Sequence, residues 1–136
     1  MPGPRVYTLD EANDLVPALA EAFGRIDELR KKLRMLKIKL NALEMLWGGE
    51  LEDVNNPDHT EGKALLDQLG ETENAVAAVV QDIGEFGGLV KDVHGGLVDV
   101  YHVREGILVH LCWQRGEEEF IAWHDVDAGF ADRESL

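Results

Sequence analysis

Leu19, Ala22, Ile26, Leu29, Leu33, Leu36, Leu40, Leu43 and Trp47 follow one another at alternating intervals of three and four residues. An apolar repeat of about 3.5 residues held over this length keeps one stripe of a helix turned toward a partner helix. A second stripe runs through Leu65, Leu69, Thr72, Val76, Val79, Ile83 and Phe86 with the same alternation. Between them Gly48-Gly49 and the polar run Asn55-Asn56-Pro57-Asp58 break the periodicity. The spacing predicts two helices, over 8–47 and 60–86, folded back on each other as an antiparallel, coiled-coil-like hairpin.

The ends of these helices carry their own signals. Thr8-Leu9-Asp10-Glu11 has the form of a capping box, in which a threonine hydroxyl and a glutamate satisfy backbone N–H groups that the first turn leaves unpaired. Pro17 lacks the N–H that would bond to the carbonyl of Asn13, so a kink is expected between Asn13 and Pro17. Thr60 is the expected cap of the second helix, and Gly87-Gly88 its end.

After residue 88 the period changes. Leu89 to Val93, Leu97 to Val103, Ile107 to Trp113 and Glu118 to His124 are short, β-branched and aromatic runs separated by glycine-containing turns. They predict an antiparallel β-meander over 89–124 with a C-terminal tail over 125–136, making the chain an α+β protein of one domain. Read with three-residue turns ending in Gly106 and Gly116, Ile107, Val109, Leu111 and Trp113 share a face with Glu119, Ile121 and Trp123. The same rule sets Leu97, Asp99, Tyr101 and Val103 on that face, with Asp99 and Glu119 on either side of Leu111.

Two carboxylates on an apolar face must be paired, hydrogen-bonded or protonated, so Asp99 and Glu119 are candidates for acid–base or metal chemistry. Arg133, near the end of an acidic chain, is the expected clamp on one of them. In this register His110, Cys112 and His124 do not form one zinc site, because Cys112 faces Glu118 and His124 lies about 20 Å further along its strand. His124 with Asp125 and Asp127 is a weaker candidate for a divalent metal at a strand end. No cofactor is otherwise implied, and Cys112, between Leu111 and Trp113, reads as a small core residue rather than a nucleophile.

A second apolar stripe changes the picture of the helices. Met35, Ile38, Ala42 and Met45 lie opposite the first seam, and Leu66, Ala77 and Val80 widen the stripe of the second helix. A helix apolar on two faces is buried on both, so a homodimer completing a four-helix bundle is expected. Seven of the thirteen basic residues lie between Arg25 and Lys39, with Arg30 and Lys37 at e positions and Arg25, Lys32 and Lys39 at g, where charge selects a partner helix. Glu61, Glu73 and Asp82 of the second helix are the candidate acidic partners.

Composition narrows the remaining classes. The net charge of −14 argues against nucleic acid and anionic membrane surfaces. No run approaches the roughly 18 consecutive apolar residues of a membrane span. A single cysteine permits no internal disulfide and fits a reducing, cytoplasmic setting.

Tyr7-Thr8-Leu9-Asp10-Glu11-Ala12-Asn13 through Pro17, Val90-Lys91-Asp92, Gly96-Leu97-Val98-Asp99, Leu111-Cys112-Trp113, Gly116-Glu117 with Glu119, Trp123-His124 and Gly129-Phe130 with Arg133 together resemble the family known as domain of unknown function 2203. The resemblance covers both ends and most of the sheet; the long helices match in pattern only. It implies a bacterial or archaeal protein of uncharacterised role, with a polar signature falling on Lys91, Asp92, Asp99, Glu119, His124 and Arg133. The leading expectation is therefore a small cytosolic assembly protein with a structural polar cluster. The alternatives are a metal-dependent hydrolase or small-molecule binder using Asp99, Glu119, His124 and Arg133, or a sheet edge that binds peptide.

Overall fold

The structure, a computed structural model, describes residues 5–136. The N-terminal capping box forms as the sequence dictates: Glu11 N–H donates to Thr8 Oγ1 at 3.2 Å, and Thr8 N–H donates to Glu11 Oε1 at 3.0 Å. Helix α1, Leu9–Asp14, stops at Leu15, and α2 runs over Val16–Trp47. The break sits just ahead of Pro17, whose ring is thereby placed in the first turn of α2, where a missing N–H costs nothing. A 3-10 turn over Gly48–Glu52 follows, and α3 covers His59–Glu85. It begins one residue ahead of Thr60, with Gly62 N–H donating to the Asp58 carbonyl at 2.9 Å.

The described chain divides into two compact units, one of residues 5–24 with 80–136 and one of residues 25–79. The second is the two-helix hairpin. Its core is Leu36, Leu40 and Leu65, with Leu43, Leu51 and Leu69 packed on it. All but Leu51, which the 3-10 turn supplies, are seam positions, and the repeat that predicted them explains them: only residues spaced three and four apart return to the same side of a helix. The hairpin tip is tied down by Trp47 Nε1, which donates to Asp58 Oδ2 at 2.8 Å, and by His59 Nδ1 against the Leu51 carbonyl at 3.0 Å. The opposite face of α2 is open, with Met35 57%, Ile38 60% and Met45 88% exposed.

The first unit holds a five-stranded antiparallel sheet in the order β1 (Leu89–Asp92), β2 (Leu97–Arg104), β3 (Ile107–Gln114), β4 (Ala122–Asp125) and β5 (Glu134–Ser135). The tail beyond residue 125 thus contributes a short fifth strand, preceded by a 3-10 turn over Phe130–Asp132. One sheet face, Val98, Val100, Val109, Leu111 and Trp113, is fully buried, and Trp113 meets Phe23 with ring centroids 6.0 Å apart. At the end of α3, Gly87 has φ +91° and a side chain there would collide with the Tyr7 ring, whose hydroxyl donates to the Phe86 carbonyl. Phe120 N–H donates to Asn13 Oδ1 at 2.7 Å, fastening the β3–β4 connection to the N-terminal helix.

The register differs from the sequence expectation in two places. Arg104 pairs with Ile107, so the β2–β3 turn has two residues, Glu105 and Gly106, both with positive φ, 53° and 78°. That is the mirror-image turn whose twist matches a hairpin, and shortening the loop by one residue turns Asp99 away from Leu111 to face Cys112. Between β3 and β4 the pairing is Leu111 with Trp123 and Cys112 with Ala122. The strand is displaced by four residues from the expected register because residues 115–121 form a connection bound to Asn13 and Trp113 rather than a tight hairpin. An even displacement keeps Trp123 on the face of Leu111, as expected, but slides His124 alongside His110.

Candidate polar centre of the sheet

Three adjacent strands bring four chemically active side chains to one face. Asp99 on β2 lies opposite Cys112 on β3, and His110, two residues before Cys112, lies opposite His124 on β4. Side chains two apart on a strand point the same way, and cross-strand partners are near neighbours, so this register alone places them together. All four are buried, with Asp99 1%, Cys112 0%, His110 4% and His124 2% exposed. Separate from them, the hairpin unit carries a concavity of about 490 Å³ at its tip, lined by residues that include Leu40, Glu44, Leu51, His59 and Lys63.

The contacts within the cluster are specific. His124 Nε2 lies 3.0 Å from Asp99 Oδ2, while His124 Nδ1 lies 2.8 Å from the backbone carbonyl of Asp125. A carbonyl only accepts, so Nδ1 carries the proton of that bond and the ring is held with Nε2 toward Asp99. His110 Nδ1 stands 3.5 Å from the same carboxylate oxygen. The His110 ring lies edge-on to His124, centroids 5.2 Å apart, and against Tyr101 at 4.8 Å. Asp99 Oδ1 and both ring nitrogens of His110 are buried without a hydrogen-bond partner. One ligand atom each from Asp99, Cys112 and His124 falls within 4.8 Å of the others, so this buried group has the donor set and spacing to hold a metal ion.

Burial sets the protonation of the neighbours. Desolvation pushes the Cys112 thiol up to about 12, with Asp99 adding to the shift and Arg133 opposing it. Desolvation also lowers His110 toward the neutral imidazole; Asp99 works against this, and His124 and Lys91 work with it. A thiol this resistant to ionisation is no nucleophile on its own, in line with its reading as a small buried residue.

Arg133 reaches the rim of the cluster but does not clamp Asp99 or Glu119. Its Nη2 donates to Glu117 Oε2 at 2.7 Å and its Nη1 to Glu117 Oε1 at 3.3 Å, with Nη1 also 4.0 Å from Cys112 Sγ. The guanidinium stacks 4.6 Å over the Phe130 ring, and the Glu117 bonds raise its pKa further. Glu119 is exposed, beside Leu9, Asn13 and Phe120, and does not flank Leu111, because the four-residue displacement takes it out of the strand. Lys91 lies at a bulge of β1, and Asp92 caps the β1–β2 turn by accepting from His94 N–H at 3.0 Å. Asp125 points to the face opposite His124, and Asp127 is exposed in the next turn, so neither joins His124 around a common ion.

His110 and Cys112 are the members that the sequence register set aside. The signal was present: Asp99, His110 and Cys112 fall on one face in any register that pairs Val98 with Trp113 and Val100 with Leu111, and His124 joins them wherever Trp123 shares the face of Leu111. That pairing sets Val98, Val100, Val109, Leu111 and Trp113 together on a face free of Asp99 and as apolar as the one expected from three-residue turns.

A family model described as "Uncharacterized conserved protein (DUF2203)" matches residues 5–136. No curated protein and no solved structure matches the chain.

Proposed function

Since the chain belongs to the DUF2203 family, a family of uncharacterised conserved proteins, we propose its function from the geometry: a small cytoplasmic assembly protein that pairs with a second copy of itself through its helical hairpin. The observation that carries this reading is the open stripe of α2, where Met35, Ile38 and Met45 are each more than half exposed. Leu46 on the same helix and Leu66 on α3 are exposed to a similar degree, at 67% and 57%. An apolar surface of this kind on a charged helix marks an interaction site.

Charge favours a second copy as the occupant. The α2 stretch from Arg25 to Lys39 has seven basic residues against Asp27 and Glu28, whereas α3 carries six acidic residues and a single lysine. A two-fold pairing that sets α2 of one copy against α3 of the other matches these signs twice. The ion pair formed by Lys31 and Glu28, at 3.2 Å, lies within α2. An acidic chain whose one cysteine is a free thiol suits a reducing cytosol and has no attraction for nucleic acid. None of the described helices is long and apolar enough to cross a membrane.

The hydrolase reading draws no support from the geometry, because Glu119 lies outside the cluster and Arg133 is bonded to Glu117 rather than to the Asp99–His124 pair. Sedimentation equilibrium at tens of micromolar tests the proposal. A dimer is expected, converted to monomer by Met35→Glu with Ile38→Glu and weakened by raised salt; a monomeric wild-type chain overturns it. Reversal of Arg30, Lys37 and Lys39 to glutamate separates the charge contribution from the apolar one.

A further inference from the structure

We propose that Asp99, Cys112 and His124 form the binding site of one tetrahedral transition-metal ion of the zinc class, with His110 as the fourth ligand. The sheet unit alone supplies it, so the inference does not depend on self-association of the hairpin.

Three observations converge. The first is donor chemistry: a thiolate, an imidazole and a carboxylate on three neighbouring strands are a mixed set that suits zinc better than magnesium or calcium, which take oxygen ligands. The second is spacing. Bonds of about 2.0–2.3 Å in a tetrahedron put donors roughly 3.3–3.7 Å apart. The observed 3.0 Å between His124 Nε2 and Asp99 Oδ2, and the 4.8 Å within which all three ligand atoms fall, bracket that range.

The third is the state of the polar atoms. Because Nδ1 of His124 donates to the Asp125 carbonyl, the ring is held with Nε2 turned toward Asp99 Oδ2, the atom through which a neutral imidazole would ligate. Two acceptors at hydrogen-bond distance need a cation or a proton between them. Asp99 Oδ1 and both nitrogens of His110 are also buried and unpartnered, and such groups cost free energy until something satisfies them. A dication takes an Asp99 oxygen, His124 Nε2 and one nitrogen of His110 as ligands and balances the charges of Asp99 and a Cys112 thiolate.

The surroundings are those of a ligand set already oriented. A histidine that binds metal characteristically donates its other N–H to a backbone carbonyl or carboxylate, as His124 does. Arg133, held by two bonds to Glu117 and by the Phe130 ring, directs Nη1 at Cys112 Sγ and favours the thiolate. Binding releases the Cys112 proton to solvent, forms the sulfur–metal bond and oxidises nothing. With His110 turned in, all four positions are filled by protein and closed to water, which makes the ion a staple across β2, β3 and β4 rather than a catalyst.

Cobalt(II) substitution of the untagged full chain, after removal of bound metal with a chelator, tests this. The wild-type protein is expected to take up one equivalent, with a thiolate-to-cobalt charge-transfer band in the near ultraviolet and the intense visible bands of a tetrahedral site. Zinc is expected to displace the cobalt and raise the Tm. Cys112→Ser loses the charge-transfer band, Asp99→Asn weakens uptake by about 100-fold or more, and Glu119→Gln, away from the cluster, changes neither. Asp99→Asn also guards against loss of fold, since the new amide can donate to His124 Nε2. Failure of the wild-type chain to bind cobalt with these bands, or their persistence in Cys112→Ser, overturns the assignment, as does an unchanged Tm with zinc. An imidazolium at His124 in the zinc-treated protein, seen by nitrogen NMR, overturns it equally.

Discussion

His124 Nε2 stands 3.0 Å from Asp99 Oδ2, both side chains 2% exposed, on the sheet face opposite the buried Val98, Val100, Val109, Leu111 and Trp113. Removing one member of a buried polar pair strands the other without water or partner, which costs about 1–3 kcal/mol. Asp99→Ala is therefore expected to lower unfolding stability in urea by roughly 2 kcal/mol. Asp99→Asn should lose distinctly less, because its amide restores a donor for the ring nitrogen. Equal losses in the two variants would show that Asp99 contributes charge rather than a hydrogen bond.

Glu117 and Arg133 are paired through two bonds, and Glu117 Oε1 also accepts from Gln114 N–H at 2.7 Å. The pair is partly exposed, so its coupling is screened; a double-mutant cycle on Glu117→Ala and Arg133→Ala should return about 1 kcal/mol, falling with added salt. The single Glu117→Ala change should exceed the Arg133 change, since it also leaves the Gln114 N–H unpaired. The reverse order would indicate that the stacking of Arg133 on Phe130 dominates.

Thr8 and Glu11 close the capping box of α1, and Thr8→Ala is expected to cost about 1 kcal/mol in thermal or urea unfolding. The Thr8 backbone N–H, and then its side chain, hold the Glu11 carboxyl below its ordinary range. A carboxylate whose pKa is depressed on folding stabilises the native state above the unfolded value and loses that contribution as pH falls through the folded one. The difference in stability between wild type and Glu11→Gln should therefore be full near neutral pH and shrink in acid. A difference independent of pH would remove the charge from the account.

The helical half of the fold was legible because its signal is redundant: nine seam positions of α2 and seven along the second stripe repeat one instruction, and a single odd residue in the second set, Thr72, which donates to the Gln68 carbonyl at 2.7 Å, does not alter it. The sheet had no such redundancy. Asp99 was singled out correctly as buried, yet its partners depended on one turn residue more or less, and the period of two makes that error move every side chain to the other face. Glu119 failed for a different reason: the contact that draws the β3–β4 connection out of the sheet is made by Asn13, 107 positions away in sequence, and no local pattern encodes it. Arg133 was placed near the cluster on charge alone, but the partner that meets it, Glu117, sits on the same irregular segment.

The turn that decides the register is itself open to test. Glu105 is the one non-glycine residue with positive φ among the described residues, and Gly106 beside it, at φ +78°, has nothing within 4 Å of an added Cβ. Both central positions of this turn type need the left-handed region, which costs an ordinary residue about 1–2 kcal/mol but suits asparagine. Glu105→Asn should accordingly stabilise the protein by roughly 0.5–1 kcal/mol, and Gly106→Ala should destabilise it by about 1 kcal/mol through backbone strain alone, no neighbour being displaced. If the three-residue bulged turn were the one formed, Glu105 would lie in the right-handed region, Glu105→Asn would give no gain, and cross-strand proton contacts would link Asp99 with Leu111 instead of Cys112. The stability of one surface substitution therefore reports on which residues share the polar face.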